Sequence, residues 1–304
     1  MVRSSNRALA AAAGVLADQA LGEPSVQPHP VAAFGRLMER MEGRLYRDGR
    51  AEGTGYAALG LAVGTGAGAL LGSATPATTI ATYLAVAGRA LVEAAQGVGE
   101  ALGANDLDLA RARLPALVGR DASRLDAGEV VRAVVESVAE NTVDAIVAPA
   151  LWGALAGAPG ALGYRAVNTM DAAVGHRSTR YLRFGWASAR LDDLANLVPA
   201  RLTAALVAAV RPRSAGAVWR AVRRQAPAHP SPNAGVAEAA FAAALGLRLG
   251  GVNTYGTVTE RRPILGTGRA PSVPDLEAAI TLCRDVTYAL VALLVVLGLA
   301  TRAS

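Results

Sequence analysis

The chain has 304 residues, of which 52% are hydrophobic and 18% charged, with a formal net charge of +6 and a mean hydropathy of +0.31. This excludes a disordered chain and falls short of the roughly 25% charged residues of ordinary soluble domains, so it points to membrane contact. All 30 basic residues are Arg. Without Lys the chain cannot carry a P-loop or a Schiff-base amine, and anions must be held by guanidinium groups, metal or backbone amides.

Along the chain, the Ala-rich stretch at 8–17 runs into Asp18 and an "LGEP" turn instead of a small-residue cleavage site, so no cleaved signal is expected. Prolines on both sides of His29 predict a rigid turn, followed by a basic amphipathic helix carrying Arg36, Arg40 and Arg44. From 53 to 88 no residue is charged. About 20 residues cross a bilayer, so this run predicts one spanning helix and a second, shorter or re-entrant one after the polar break at 73–76. Gly64, Gly68 and Gly72 give the first helix a small-residue face for close packing.

Helical patterns follow at 107–117 and 128–146. In the second, valines at 131, 134, 135 and 138 form one stripe, and Glu136, Glu140 and Asp144 lie four apart on the opposite face, with Asn141 beside them. Glu136 reads as part of a solvated face. Glu140, Asn141 and Asp144 run straight into an apolar segment at 145–164, and acids at a membrane boundary are candidates for metal, proton or amine handling.

The densest polar stretch comes next, with Asn168, Asp171, His176, Arg177, Arg190, Asp192, Asp193 and Arg201 within 34 residues. Asp192 and Asp193 are the candidates for Mg2+, which takes a few carboxylates together with phosphate and water. His176 is the candidate base. After a short apolar run at 202–210, "HPSPNAGVAEAAFAAALGLRLGG" predicts a helix capped by Ser231, with Pro232 at its first position and its end near Gly246. Such a start offers amides and a positive dipole end to an anion. Asn233, Gly235 and Glu238 add an amide, a missing side chain and a carboxylate where a ligand approaches closely.

The run at 286–301 is the cleanest transmembrane segment. Cys283, the lone cysteine, reads as a small buried hydrophobe. With no strand-like alternation and no internal repeat, the expectation is an all-α, polytopic integral membrane protein. It has about 4–5 membrane segments and helical interfacial loops, in a single domain over 1–304. The arginines are not interleaved with stacking aromatics, so nucleic acid is not an expected partner.

Six blocks, "LGEP…HPVAAFGR", "VGRDASRLD", "VESVAENTVDAIVAP", "GAPGALGYRAVNTMDAAVGH", "FGWASARLDDLANLVPARL" and "SPNAGVAEAAFAAALGLRLGG", occur in the order seen in the CobD/CbiB family of cobalamin biosynthesis proteins. The chain resembles that family from about residue 18 to 251, more weakly through "TYG" and the C-terminal helix. The resemblance implies a multi-pass protein of the cell (cytoplasmic) membrane acting as an ATP-dependent carbon–nitrogen ligase. Its substrates would be adenosylcobyric acid, the corrinoid, and (R)-1-amino-2-propanol phosphate or free aminopropanol, joined by an amide bond to give adenosylcobinamide phosphate. Membrane lipid is the expected surrounding, and an oligomer is left open.

Amide formation from a carboxylate needs an activated acyl group, commonly an acyl phosphate, so the site must bind nucleotide phosphates and deprotonate an amine. On that reading Asp192 and Asp193 hold Mg2+ on ATP, while Arg177, Arg190 and Arg201 bind phosphate or the corrinoid carboxylate. Glu140 or Asp144 accepts the amine proton. The helix start at 231–235 holds a phosphate, and His29 and Arg36 close the site. A transporter or non-catalytic membrane protein is the main alternative and predicts inverted repeats. A phosphatidyl-type transferase would place two further aspartates downstream at helical spacing, but none follows Asp193 until Asp275.

Overall fold

The computed structural model describes residues 2–24, 29–119, 121–255 and 258–303; Pro28, Arg120 and Gly256 of the family-like blocks lie outside them. The elements in chain order are α1 (Val2–Leu21), α2 (Pro30–Leu45), α3 (Arg50–Leu71), α4 (Thr75–Ala85), α5 (Gly88–Gly103), α6 (Leu107–Arg113) and α7 (Ala127–Thr142). Then come α8 (Ala148–Met170), α9 (Trp186–Ala195), α10 (Leu197–Val210), α11 (Ala215–Arg224), α12 (Ala234–Leu245), β1 (Leu249–Tyr255), β2 (Val258–Leu265) and α13 (Val273–Ala303). The protein is 78% helical, and the all-α expectation holds apart from one antiparallel hairpin, β1–β2. Among the described residues three helices are long and apolar enough to cross a membrane, or four if the bent pair α9–α10 is one span. Leu70, Leu155, Leu194, Val198 and Val296 are each more than half exposed, a surface that suits hydrocarbon and not water.

The chain divides into two compact units, Met1–Ala87 with Asp144–Leu197 and Leu290–Ser304, and Gly88–Val143 with Val198–Ala289. In the first, α3 and α8 meet backbone to backbone. Gly60, Gly64 and Gly68 are buried along α3. A Cβ on Gly64 would stand 2.5 Å from Ala166 Cβ and 2.8 Å from the Leu162 carbonyl, one on Gly68 would overlap the Ala158 carbonyl, and one on Gly60 the Met170 sulfur. The contact ladder therefore sits one rung before the expected one. Gly72 is not a rung: it ends α3 at φ 94° with open space around it. Below the ladder, Met38, Tyr56, Val167, Met170, Val174 and Phe184 form an apolar core.

The apolar run 145–164 does not form one straight span. α8 breaks at Gly157 (φ 70°, ψ −153°), with Pro159 just beyond. A straight helix would separate residues 20 apart by roughly 30 Å, yet the Tyr164 hydroxyl lies 3.4 Å from Asp144 Oδ1. The two legs thus fold back on each other as a hairpin of helices. At the turn the Leu155 carbonyl, which the break deprives of a helical donor, accepts from Arg7 Nη1 at 3.2 Å. π-helical turns flank α8 at Val143–Val147 and Asp171–Gly175.

In the second unit α7 starts at a reciprocal capping box between Asp126 and Glu129, and its valine stripe is buried. The solvated-face reading of Glu136 is overturned. Its side chain is buried, 9% exposed, and Oε1 accepts from the Gly250 amide at 2.8 Å, while Arg132 donates to the Gly250 carbonyl. Gly250 (φ 82°) and Gly251 (φ 104°) occupy a bulge between Leu249 and Gly251, so a helix carboxylate anchors the strand entry that sequence alternation did not reveal. α12 closes at Gly246, left-handed at φ 66° with its N–H on the Ala242 carbonyl. No neighbour would meet a Cβ there, so Gly246→Ala isolates backbone strain: unfolding free energy should fall by about 1–2 kcal/mol, read from denaturant titration in detergent.

Candidate functional site

Two polar clusters stand out, one in each unit. In the first unit the α8 hairpin brings Asp144, at the foot of one leg, to Tyr164 and Asn168 on the other, and α9 adds Asp192 and Asn196. The Tyr164 hydroxyl donates to Asn196 Oδ1 at 2.9 Å. Asn196 Nδ2 donates to Asp192 Oδ2 at 3.0 Å, and Asn168 Nδ2 reaches Asp192 Oδ1 at 3.4 Å. Tyr164 and Asn196 are buried, so the chain of bonds runs through the interior, where each polar group needs its partner. The charges of Asp144, Glu23 and Asp18 act on the guanidinium of the next residue, Arg165. Beside Tyr164 an apolar groove of ≈ 390 Å³ opens between α3, α8 and α9, walled by Leu61, Trp152, Val167 and Leu191.

Sequence adjacency does not make Asp192 and Asp193 a chelating pair. Successive helical residues point about 100° apart, and the two carboxylates have different partners: Asp192 the two amides, Asp193 the guanidinium of Arg190 at 2.9 Å. Among the described residues no group of three or more His, Cys, Asp or Glu is placed to hold a metal ion. The donor set suits Mg2+ carried in on nucleotide phosphates, which needs only one or two protein carboxylates, and does not suit a resident metal.

The second cluster gathers at the start of α12. Arg201 Nη1 donates to Asn233 Oδ1 at 2.9 Å, uniting two residues of the sequence-based set. Ser231 does cap the helix, but from three residues before its first turn: Oγ accepts from the amides of Asn233 (3.3 Å) and Ala234 (3.1 Å). The helix begins at Ala234, not at Pro232, because Asn233 takes the N-cap position. His229 packs under this turn, buried at 7% exposure. Gly235 leaves the room, since a Cβ there would run into the His229 side chain; the close approach expected of a ligand is made by this ring. Its ring nitrogens are closely surrounded: Nδ1 lies 3.1 Å from the Ser231 amide nitrogen and 3.2 Å from the Ser231 carbonyl, and Nε2 lies 3.3 Å from Arg262 Nη1. Glu238, 2% exposed, lies 3.7 Å from Nε2.

The other expected residues are more dispersed. His29 precedes α2, its Nε2 buried and without a hydrogen-bond partner among the described residues, and Arg36 is exposed on α2. Asp171 opens the second π-helical turn, where its carboxylate lies over Gly175. His176 and Arg177 are exposed, the former edge-on to Tyr181 with ring centroids 5.0 Å apart. The loop that carries them is pinned by Arg180, which donates to Glu42 Oε1 at 2.7 Å and covers the Tyr46 ring; that bond holds the guanidinium proton more firmly than usual. In the second unit, Asn141 donates to the Ser137 carbonyl of its own helix, and Glu140 is half-buried at the end of α7. Sequence reasoning passed over Asp18, Tyr164, Arg165, Asn196, His229 and Arg262. All but Arg262 stand in or directly beside the family-like blocks, as ordinary-looking aromatic, amide and charged residues within helical patterns.

Comparison with known proteins agrees with this arrangement of blocks. The profile described as CobD/Cbib protein matches residues 11–283. The chain is 48% identical over 293 residues, 92% of each chain, to "Cobalamin biosynthesis protein CobD" of Mycobacterium tuberculosis (strain H37Rv). It is 43% identical over 274 residues to the protein of that name from Geobacter metallireducens, covering 84% of this chain and 86% of the relative. With the Rhodobacter capsulatus protein it shares 42% over 283 residues, 88% and 90% of the two chains. No solved structure matches it. With the profile matching residues 11–283 and relatives aligned over 84–92% of the chain, this helical membrane protein belongs to the CobD/CbiB family, with a role in cobalamin biosynthesis.

Proposed function

We propose that the protein is the ligase that joins adenosylcobyric acid to (R)-1-amino-2-propanol phosphate, or to aminopropanol, through an amide bond, with ATP and Mg2+, at the cell membrane. The observation that carries this reading is the family match over residues 11–283, and the chemistry of the two polar clusters supports it. ATP supplies the activation of the carboxylate. Asp144 and Asp192, held by Tyr164, Asn168 and Asn196, present negative charge to the substrate ammonium, and Asp144 or Glu140 accepts its proton. In the second unit Arg201, Asn233 and the capped start of α12 hold phosphate; in the first, Arg177 and Arg190 bind anionic groups of the substrates. Glu238 and His229 fix the geometry of that helix start.

The test is direct. Purified protein in detergent, given ATP, Mg2+, adenosylcobyric acid and aminopropanol phosphate, should yield the corrinoid amide, followed by mass, with ATP consumed in step. Folded protein that forms no amide overturns the reading. A transporter draws support from one observation, the broken helix α8, since discontinuous helices build many transport sites. The same assay separates the two, because detergent solution has no compartments and a transporter would make no product in it.

A further inference from the structure

Between Asp193 and Glu238 the chain contains no acid but carries Arg201, Arg211, Arg213, Arg220, Arg223 and Arg224. Arg201 is engaged by Asn233 and Arg211 by Asp285 at 2.7 Å. The remaining four are exposed, on or just before α11. That helix buries Val218 and Ala221 and packs against α12. Its other face, at 216, 219, 220 and 223, follows the i, i+3, i+4, i+7 spacing of one helical stripe and presents Gly216, Trp219, Arg220 and Arg223, with Arg224 alongside. Trp219 is 38% exposed. Only four residues, 211–214, separate α11 from the end of α10 at Val210, the second half of the bent apolar pair.

A helix with an apolar side held by protein, and with Trp and guanidinium groups turned outward where a membrane segment ends, has the chemistry of the lipid headgroup layer. Trp partitions to that layer, and Arg forks onto phosphate oxygens. We propose that α11 docks on the anionic surface of the bilayer, with Arg213, Arg220, Arg223 and Arg224 bound to phosphodiester headgroups and Trp219 seated at their depth. The surface selects anionic over zwitterionic lipid because the segment that carries it, 194–237, bears arginines and no acid. This holds whether or not the protein forms amides.

The test uses the full-length protein in phosphatidylcholine nanodiscs containing phosphatidylglycerol, with bromine on the chains of one lipid or the other. Trp219 quenching is taken as the difference between the wild type and Trp219→Phe, which removes the contribution of Trp152 and Trp186. At equal bromine content, brominated phosphatidylglycerol should be enriched around Trp219 roughly five-fold, the equivalent of about 1 kcal/mol for one engaged guanidinium. The preference should fall at high salt, disappear in the triple variant Arg220→Gln/Arg223→Gln/Arg224→Gln and persist in the corresponding triple Lys variant. Equal quenching by the two lipids overturns the proposal, as does a preference that survives the Gln substitutions. A Trp219 response to soluble glycerol phosphate as large as the response to the lipid would also overturn it.

Discussion

Asp192→Asn is expected to lower the rate of corrinoid amide formation by about 10²–10⁴-fold, the range for losing a positioned proton-transfer or charge-stabilising group. Asn168 and Asn196 both present amide N–H groups to the Asp192 carboxylate. An Asn side chain would turn its own NH2 toward one of them, leaving a donor against a donor at a structural cost of about 1–3 kcal/mol. The comparison that separates chemistry from packing is Asn196→Ala, which breaks the same network without removing the charge. If Asp192 only holds the fold, the two variants should lose activity in proportion to stability. If it serves the reaction, Asp192→Asn should lose far more. Glu140→Gln, on the other unit, is expected to lose activity to a similar extent with insertion into the membrane unchanged. Wild-type rates in both Asp192→Asn and Glu140→Gln would refute this placement of the acids.

Gly64→Leu is expected to destabilise the protein by about 3 kcal/mol, the upper part of the usual range for overpacking, and to lower the thermal midpoint in detergent accordingly. The side chain has nowhere to go: the Ala166 methyl and the Leu162 carbonyl both stand within 3 Å of the position its first carbon would take. Gly66→Leu, two residues along the same helix, meets nothing within 4 Å and is expected to leave the midpoint within about 0.5 kcal/mol of the wild type. In hydrocarbon, helices gain no hydrophobic attraction for each other and depend on such close approach. Equal midpoints for the two variants would show that α3 and α8 do not pack through this ladder.

How much of this was legible in the sequence depends on the range of the signal. Apolar runs long enough to span a bilayer mark α3 and α13 with no tertiary information, because length and composition are local properties. A helix cap is almost as local: Ser231 was identified as a cap, and only the helix start shifted, from Pro232 to Ala234. The Gly ladder was found but set one rung late, since spacing alone does not tell which glycine faces a partner and which ends the helix. Glu136 was misread for the same reason. Its partner, the Gly250 amide, lies 114 residues away, and nothing in a helical pattern distinguishes a carboxylate facing water from one anchoring a bulge.

Tyr164, Asn196 and His229 were missed because they look like ordinary members of their helices and turn. They become site residues only when the α8 hairpin and the start of α12 bring them to Asp144, Asp192 and Arg262. The pairing of Arg201 with Asn233 shows the opposite case, two residues chosen separately on chemical grounds that the fold brings to 2.9 Å.

The break at Gly157 also divides the apolar length of α8. The legs on its two sides, residues 148–156 and 158–170, are roughly 14 Å and 20 Å long at the helical rise, and each runs on into a π-helical turn, Val143–Val147 and Asp171–Gly175. Folded back on each other at Gly157, the legs bring Asp144 and Tyr164 together, so the apolar length of α8 is not reach in one direction. Asp144 and Asp171 stand in the π-helical turns at the outer ends of the two legs.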